Sequence, residues 1–281
     1  MKITKVIIPA AGWGTRFLPF TKAVPKEMVP LLNKPAIQYI VQEAVDSGID
    51  NCIVITSAHK QALINYFNPQ PALETFLKEK NKLSLLTELH NLCNSITLTF
   101  IMQDTALGLG HAVGLAKNNI TDDYCAVMLP DDIMASTPPA LAQLITIAQK
   151  YTANVIAVQE VPDNAVSSYG IVALKNEIEP GVFEIQGVVE KPTATNAPSR
   201  LAIIGRYILS QKIFKKLDEL KPAANGEIQL TDAIASLIAG GQKVIAYKVQ
   251  GLRYDVGTPH GWLLANRDMA RNNPTFSDIF E

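Results

Sequence analysis

Short β-branched runs alternating with segments of helical period constrain this chain more than any other feature. KVIIPA (5–10) precedes a segment in which Ile37, Ile40, Val41, Ala44 and Val45 share one apolar face, and NCIVITS (51–57) follows it. The 3.6-residue stripe marks a helix, with Pro35 in its first turn and Gly48 at its end. The alternation resumes through ITLTFIM (96–102), LGHAVGLAK (109–117), YCAVMLP (124–130), PALAQLITIAQKY (139–151) and ANVIAVQEV (153–161). Such a chain is expected to build an α/β fold: a Rossmann-like mixed, mostly parallel central sheet flanked by helices.

Two stretches depart from the pattern. Residues 69–95 are polar and helical, and Leu73, Leu77, Leu83 and Leu86 are expected to give them one packed side. Beyond residue 165, GIVAL, VFEIQGVVE and LAIIGRYIL predict shorter strands with wider loops, a smaller β region. Helices over 211–220, 228–239 and 258–272 and a strand at KVIAYKV complete the reading. No linker rich in Gly, Ser or Pro divides the chain, so residues 1–281 are expected to form one domain with two functional halves, about 1–130 and 131–281.

The formal net charge of −1 gives no global field for nucleic acid or an anionic membrane, so any bound anion must be held by a local cluster. No apolar stretch approaches the ~18 residues of a membrane span. The opening MKITKVIIPAAG runs straight into a strand without a signal-peptide core, and a cytoplasmic protein is expected. Cys52, Cys93 and Cys125 form no C-x-x-C pair, and His59, His90, His111 and His260 are scattered. Neither zinc nor a nucleophilic Cys–His pair is suggested.

The first strand runs into A-A-G-W-G-T-R-F (10–17). Small residues at Ala10, Ala11, Gly12 and Gly14 let backbone N–H groups approach a polyanion, and Arg16 can add a bidentate contact to phosphate oxygens. A tight strand exit with no ligand would use the same glycines. G-x-x-x-x-G-K-[ST] is absent, and Phe17 stands where the dinucleotide fingerprint needs its third glycine. P-loop NTPases and pyridine-nucleotide dehydrogenases are thereby set aside. Lys26, between two prolines in V-P-K-E-M-V-P (24–30), lies in a stiffened loop on the same side of the strand exit as Arg16.

The signature P-A-A-G-W-G-T-R-F-L-P-F-T-K-A-V-P-K-E-M-V-P resembles that of the sugar nucleotidyltransferases, the nucleotide-sugar pyrophosphorylases. Within them it is most similar to the bacterial group that joins UTP to glucose 1-phosphate. G-L-G-H-A-V (108–113), L-P-D-D (129–132), V-E-K-P (189–192), E-I-Q-L-T-D-A-I (227–234) and Y-D-V-G-T-P (254–259) resemble the family's later motifs, in the same order. The resemblance covers nearly the whole chain. It implies attack by a sugar 1-phosphate oxygen on the α-phosphorus of UTP, giving UDP-glucose and pyrophosphate. The nucleophile is already an anion, so such a displacement needs positive charge and positioning rather than a general base.

The resemblance also implies residue roles. Arg16, Lys26, Asp131 and Lys191 are the catalytic candidates, and Asp131 and Asp255 the ligands of Mg2+, with Asp132 a weaker contributor. Ala10, Ala11, Gly12, Gly14, Thr15, Arg16, Lys26, Glu27, Gln103 and Gly108 fall to the nucleotide. Gly170, Glu190, Lys191, Ile204 and Gly205 fall to the sugar, beside Thr231 and Asp232, the latter equally readable as a helix-surface residue. Neighbours on a strand face opposite ways, so a bend near Pro192 must let Glu190 and Lys191 share a site. The Gln103 carboxamide can pair with the N3–H and O4 edge of uracil, and His111 reads as a structural residue at a helix start. On this reading the first half binds nucleotide and the second binds sugar, in a homo-oligomer, a dimer or a tetramer. Trp13, Asn33 and Ala106 stand where the family often has Leu, Asp and Pro. A thymidylyl- or adenylyltransferase on a sugar 1-phosphate, and a non-catalytic nucleotide-sugar-binding regulator, are the alternatives.

Overall fold

Val6, Ile7 and Ile8 are all fully buried, the mark of a strand covered on both faces. Their side chains alternate between two separate cores: Val6 and Ile8 join one, Ile7 the other. They belong to strand β1 (Lys5–Pro9), which is followed by the short β2 (Pro30–Leu31) and β3 (Lys34–Pro35), helix α1 (Ala36–Asp46) and β4 (Asn51–Thr56). A computed structural model describes residues 1–223 and 226–280 of the chain.

Helices α2 (Gln61–Phe67), α3 (Pro71–Glu79) and α4 (Thr87–Ser95) precede β5 (Thr97–Met102). Then come α5 (Leu109–Leu115), β6 (Tyr124–Met128), β7 (Asp132–Ala135), α6 (Ala140–Tyr151) and β8 (Asn154–Glu160). The second half holds β9 (Gly170–Glu179), β10 (Val182–Glu190), β11 (Leu201–Ser210), α7 (Lys212–Glu219) and α8 (Leu230–Ala239). Strands β12 (Val244–Lys248) and β13 (Leu252–Asp255) and helix α9 (Pro259–Arg271) close it.

The main sheet has nine strands in the order β5-β4-β1-β6-β11-β8-β12-β10-β9. All run one way except β10 and β11, so the sheet is mixed and mostly parallel, as the alternation predicts. Helices α1 and α6 pack on one face and α5, α7 and α8 on the other. From β1 the chain moves outward through β4 to β5, then returns to β6 on the opposite side of β1. That reversal opens a crevice at the carboxyl ends of β1 and β6, where open α/β sheets bind ligands.

Helix α1 ends as read from Gly48, which has φ 84°. Ile49 N–H donates to Ala44 O at 3.0 Å and Gly48 N–H to Val45 O at 2.9 Å, a Schellman motif. Two expectations need correction. The strands beyond residue 165 are no shorter than the others: β10 spans VFEIQGVVE as read, β11 one residue more than read, and β9 has ten residues against the five of GIVAL. Polar Lys175, Asn176 and Glu177 continue β9 past its apolar run because it pairs with β10 through register shifts. In the helical insertion Leu77 is buried, but Leu73 and Leu83 are 45% and 39% exposed, so the packed side is narrower than expected. In addition, β7 and β13 form a ladder that no apolar alternation announced, and it places Asp255 opposite Asp132. Among the described residues no helix is long and apolar enough to cross a membrane.

Candidate active site

The crevice between the carboxyl ends of β1 and β6 is a cleft of about 570 Å³. Ala11, Gly12, Gly14, Thr15 and Arg16 line one wall, Gln103 and Gly108 another, and Lys26, Asp131, Glu190 and Lys191 the rest. The loop after β1 turns at Gly14, where φ is 68°, and Thr21 Oγ1 donates to Gly14 O at 2.8 Å to hold the turn. At Gly108 φ is 92° and a Cβ would stand 2.8 Å from the Glu227 Cβ, so only glycine lets this loop pass. Ile228 N–H donates to Leu107 O and Gly110 N–H to Ile228 O, both at 2.8 Å. The E-I-Q motif is thereby zipped to the Gly108 loop, and Glu227 and Gln229 line the cleft.

Lys26 Nζ lies 2.6 Å from Asp131 Oδ2, both side chains about one-fifth exposed. Burial alone would raise the Asp131 carboxyl, but the Lys26 ammonium, aided by Arg16, holds it below the usual carboxylate range. Burial likewise opposes the Lys26 charge, and Asp131 and Glu27 together raise its pKa above the ordinary value. Both groups are therefore charged near neutral pH.

Asp131 and Asp255 converge although they are distant in sequence. Asp131 Oδ2 and Asp255 Oδ1 lie 2.8 and 3.0 Å from the point where a Gly257 Cβ would stand. Val256 N–H donates to Asp131 O at 2.8 Å and Gly257 N–H to Asp255 Oδ1 at 3.0 Å, so the ladder of β7 and β13 sets their approach. Asp132 is spent elsewhere: Oδ1 pairs with Arg253 at 2.5 Å and Oδ2 accepts Gly205 N–H at 2.7 Å.

On the far wall the bend needed for Glu190 and Lys191 lies at Lys191 itself. Strand β10 ends at Glu190, and Lys191 takes a left-handed φ of 44°, a strain of order 1–3 kcal/mol for a non-glycine residue. Its N–H donates to Tyr169 O at 3.0 Å, and Glu190 Oε2 accepts from Thr231 Oγ1 at 2.7 Å. Both side chains reach the cleft, and Gly170 sits directly behind the Glu190 carboxylate.

Of the expected ligand contacts, Ala10, Glu27, Gly170, Ile204 and Gly205 do not line the cleft. Ala10 is fully buried: its N–H donates to Ile55 O and its carbonyl accepts from Lys60 Nζ at 2.6 Å. Glu27 is 1% exposed, and both its carboxylate oxygens are taken by Lys60, at 2.9 and 2.8 Å. Ile204 and Gly205 lie inside β11. Gly205 has its N–H on Asp132, and its carbonyl accepts from both Leu129 N–H and Arg206 Nη1, each at 2.9 Å, leaving neither for a sugar. Sequence reasoning missed Lys60 and Arg253. Both are charged residues in otherwise ordinary stretches, and only their burial beside acids marks them as supports.

The family description "Nucleotidyl transferase" matches residues 5–272. This chain belongs to the nucleotidyl transferase family. A UTP–glucose-1-phosphate uridylyltransferase of Bacillus subtilis is 44% identical to it over 277 residues, 99% of this chain and 94% of the relative. A UDP-glucose pyrophosphorylase solved with UDP-glucose superposes with a TM-score of 0.88 at 39% identity, covering 97% of this nucleotidyl transferase and 100% of that chain. A UTP-bound relative from Acinetobacter baumannii gives a TM-score of 0.90 at 40% identity over 99% of this chain and 97% of its own.

Proposed function

We propose that this chain transfers the uridylyl group of UTP to α-D-glucose 1-phosphate, releasing pyrophosphate and UDP-glucose. The observation that carries the reading is the Lys26–Asp131 pair at 2.6 Å, set between the glycine-containing loop and the Glu190–Lys191 wall. Relatives named for this reaction, over nearly the whole chain, support it. In this reading the loop N–H groups and Arg16 bind the triphosphate, Lys26 meets the charge that develops at the α-phosphate, and Lys191 holds the sugar phosphate in line for attack. Glu190, oriented by Thr231, accepts from sugar hydroxyls. No residue need act as a base toward a phosphate nucleophile.

The carboxylates of Asp131 and Asp255, aimed at one point beside Gly257, fit a divalent cation, and we assign Mg2+ to them. Magnesium takes one or two carboxylates and leaves its other positions to substrate phosphates and water. When bound it would neutralise phosphate charge and favour departure of pyrophosphate. Among the described residues no larger cluster of His, Cys, Asp and Glu offers a competing site.

Pyrophosphate release measured over a panel of nucleoside triphosphates and sugar 1-phosphates tests the whole reading. UTP with glucose 1-phosphate is expected to lead, and dTTP to be the best wrong nucleotide, since one methyl discriminates by only ~1–3 kcal/mol. ATP outperforming UTP would leave only the broader nucleotidyl transferase activity.

A further inference from the structure

His111 has no part in the mechanism above, yet its geometry is specific. Gln103 follows β5, is 7% exposed, and donates its backbone N–H to Thr56 O at 2.7 Å. Its Nε2 lies 2.7 Å from His111 Nδ1, on the first turn of α5. The bond from Gly110 N–H to Ile228 O ties that turn to the neighbouring loop, so the ring has a fixed seat. Imidazole Nδ1 accepts from the amide when the ring proton is on Nε2. The carboxamide oxygen is then the end left for a ligand in the cleft.

That orientation decides what the amide can recognise. A freely rotating carboxamide meets the N3–H of uracil with its oxygen as readily as it meets the bare N3 of cytosine with its nitrogen. Held by one N–H on His111, it cannot exchange its ends, so its oxygen meets N3–H and a cytosine N3 would face that oxygen, acceptor to acceptor. We propose that His111 is the positioning residue for base choice: by holding Gln103 Nε2 it turns Gln103 Oε1 to the base and selects a pyrimidine protonated at N3. The proposal rests on the reading that Gln103 meets the base edge.

The test is the ratio of kcat/KM for UTP to that for CTP, with glucose 1-phosphate and with melting temperatures recorded alongside. His111→Phe keeps a ring and removes the acceptor, and lowers the ratio about tenfold, the scale of one hydrogen bond. His111→Glu offers only an acceptor and retains most of the wild-type ratio. His111→Lys offers only donors, calls for the amide oxygen, and gives a ratio below that of His111→Phe. A fold defect or a change in phosphate affinity acts on both nucleotides and leaves the ratio unmoved. An unchanged ratio in His111→Phe, or equal ratios in the Glu and Lys variants, overturns the proposal. Gln103→Leu separates this from the reading beneath it. A wild-type ratio there means that Gln103 does not read the base, whereas a collapsed ratio there with an unchanged one in His111→Phe removes the positioning role alone.

Discussion

Replacing Lys60 by Met exposes how the loop after β1 is held. Lys60 and Glu27 have side chains 1% and 0% exposed, and the ammonium makes hydrogen bonds of 2.9 and 2.8 Å to the carboxylate and 2.6 Å to Ala10 O. Burial pushes the Lys60 pKa below its ordinary value despite Glu27, so the pair exists at the cost of desolvating two ions. Lys60→Met strips Glu27 of its hydrogen-bonded cation inside the protein, and breaking one side of a buried pair costs about 3–5 kcal/mol. Glu27→Gln leaves the opposite charge uncompensated and falls in a similar range. The double variant removes both charges, so it should cost far less than the two singles together, with a coupling of about 2 kcal/mol or more. Urea denaturation of the four proteins at neutral pH measures the cycle, against a total stability of about 5–15 kcal/mol. Because the Ala10 carbonyl loses its donor in Lys60→Met, KM for UTP should rise while that for glucose 1-phosphate changes little. A single-variant cost below about 1 kcal/mol, or single costs that add within about 0.5 kcal/mol, would refute the reasoning.

Asp131→Asn and Asp255→Asn should each lower kcat by roughly 10²-fold or more, Asp131→Asn also losing stability because Lys26 is left without its carboxylate, and full activity of Asp131→Asn in EDTA would remove the metal assignment. Lys191→Ala should weaken glucose 1-phosphate far more than UTP in steady-state kinetics, and a rise in KM for UTP alone would exchange the roles of the two walls. His59, stacked on Trp13 at 4.1 Å between ring centroids, is held below the ordinary histidine pKa by burial and by Lys60. The contribution to stability, small because the ring is exposed to solvent, is fully present above the unfolded value of about pH 6.5 and is lost as pH falls from there through the lower folded pKa. Thermal melts across this range should therefore decline toward acid in the wild type and less so in His59→Phe, while a Trp13 fluorescence midpoint at or above pH 6.5 would contradict the shift.

Most of the sheet was legible because its parallel strands are buried on both faces and read as unbroken apolar runs. Cys52, Ile53, Val54 and Ile55 of β4 and Cys125 to Met128 of β6 are buried without interruption, and such runs carry their own boundaries. The hairpin of β9 and β10 was understated because backbone pairing, not an apolar pattern, extends it over Lys175–Glu177. The β7–β13 ladder left no periodic signal: each strand has four residues and mixes charged with apolar side chains. Which motif residues face the cleft was still less legible, because a motif fixes order along the chain and not the direction of each side chain. Ala10 and Ala11 look alike in sequence, yet only Ala11 lines the cleft while Ala10 turns its carbonyl to Lys60.

The same division runs through the charged motifs and gives them a common logic. In P-K-E-M, Lys26 faces the cleft and Glu27 is buried on Lys60. In L-P-D-D, Asp131 faces the cleft and Asp132 is buried on Arg253. In each case one residue faces the cleft and its neighbour fastens the segment to the frame, through a partner from elsewhere in the chain. Such a fastening must be strong if, as proposed, the loop presents charge to phosphates, because every ligand that enters or leaves then repels or pulls it. An ion pair that is buried and hydrogen-bonded on both sides meets that need, since removing either partner is far costlier than losing a surface contact. Arg206 extends the frame: fully buried, it pairs with Glu43 of α1 at 2.6 Å and donates to the Asp132 carbonyl at 2.8 Å. The carboxylate expected to serve a cation and the one that never meets it are thus adjacent in sequence, and the immobility of Asp132 is what gives Asp131 a fixed address.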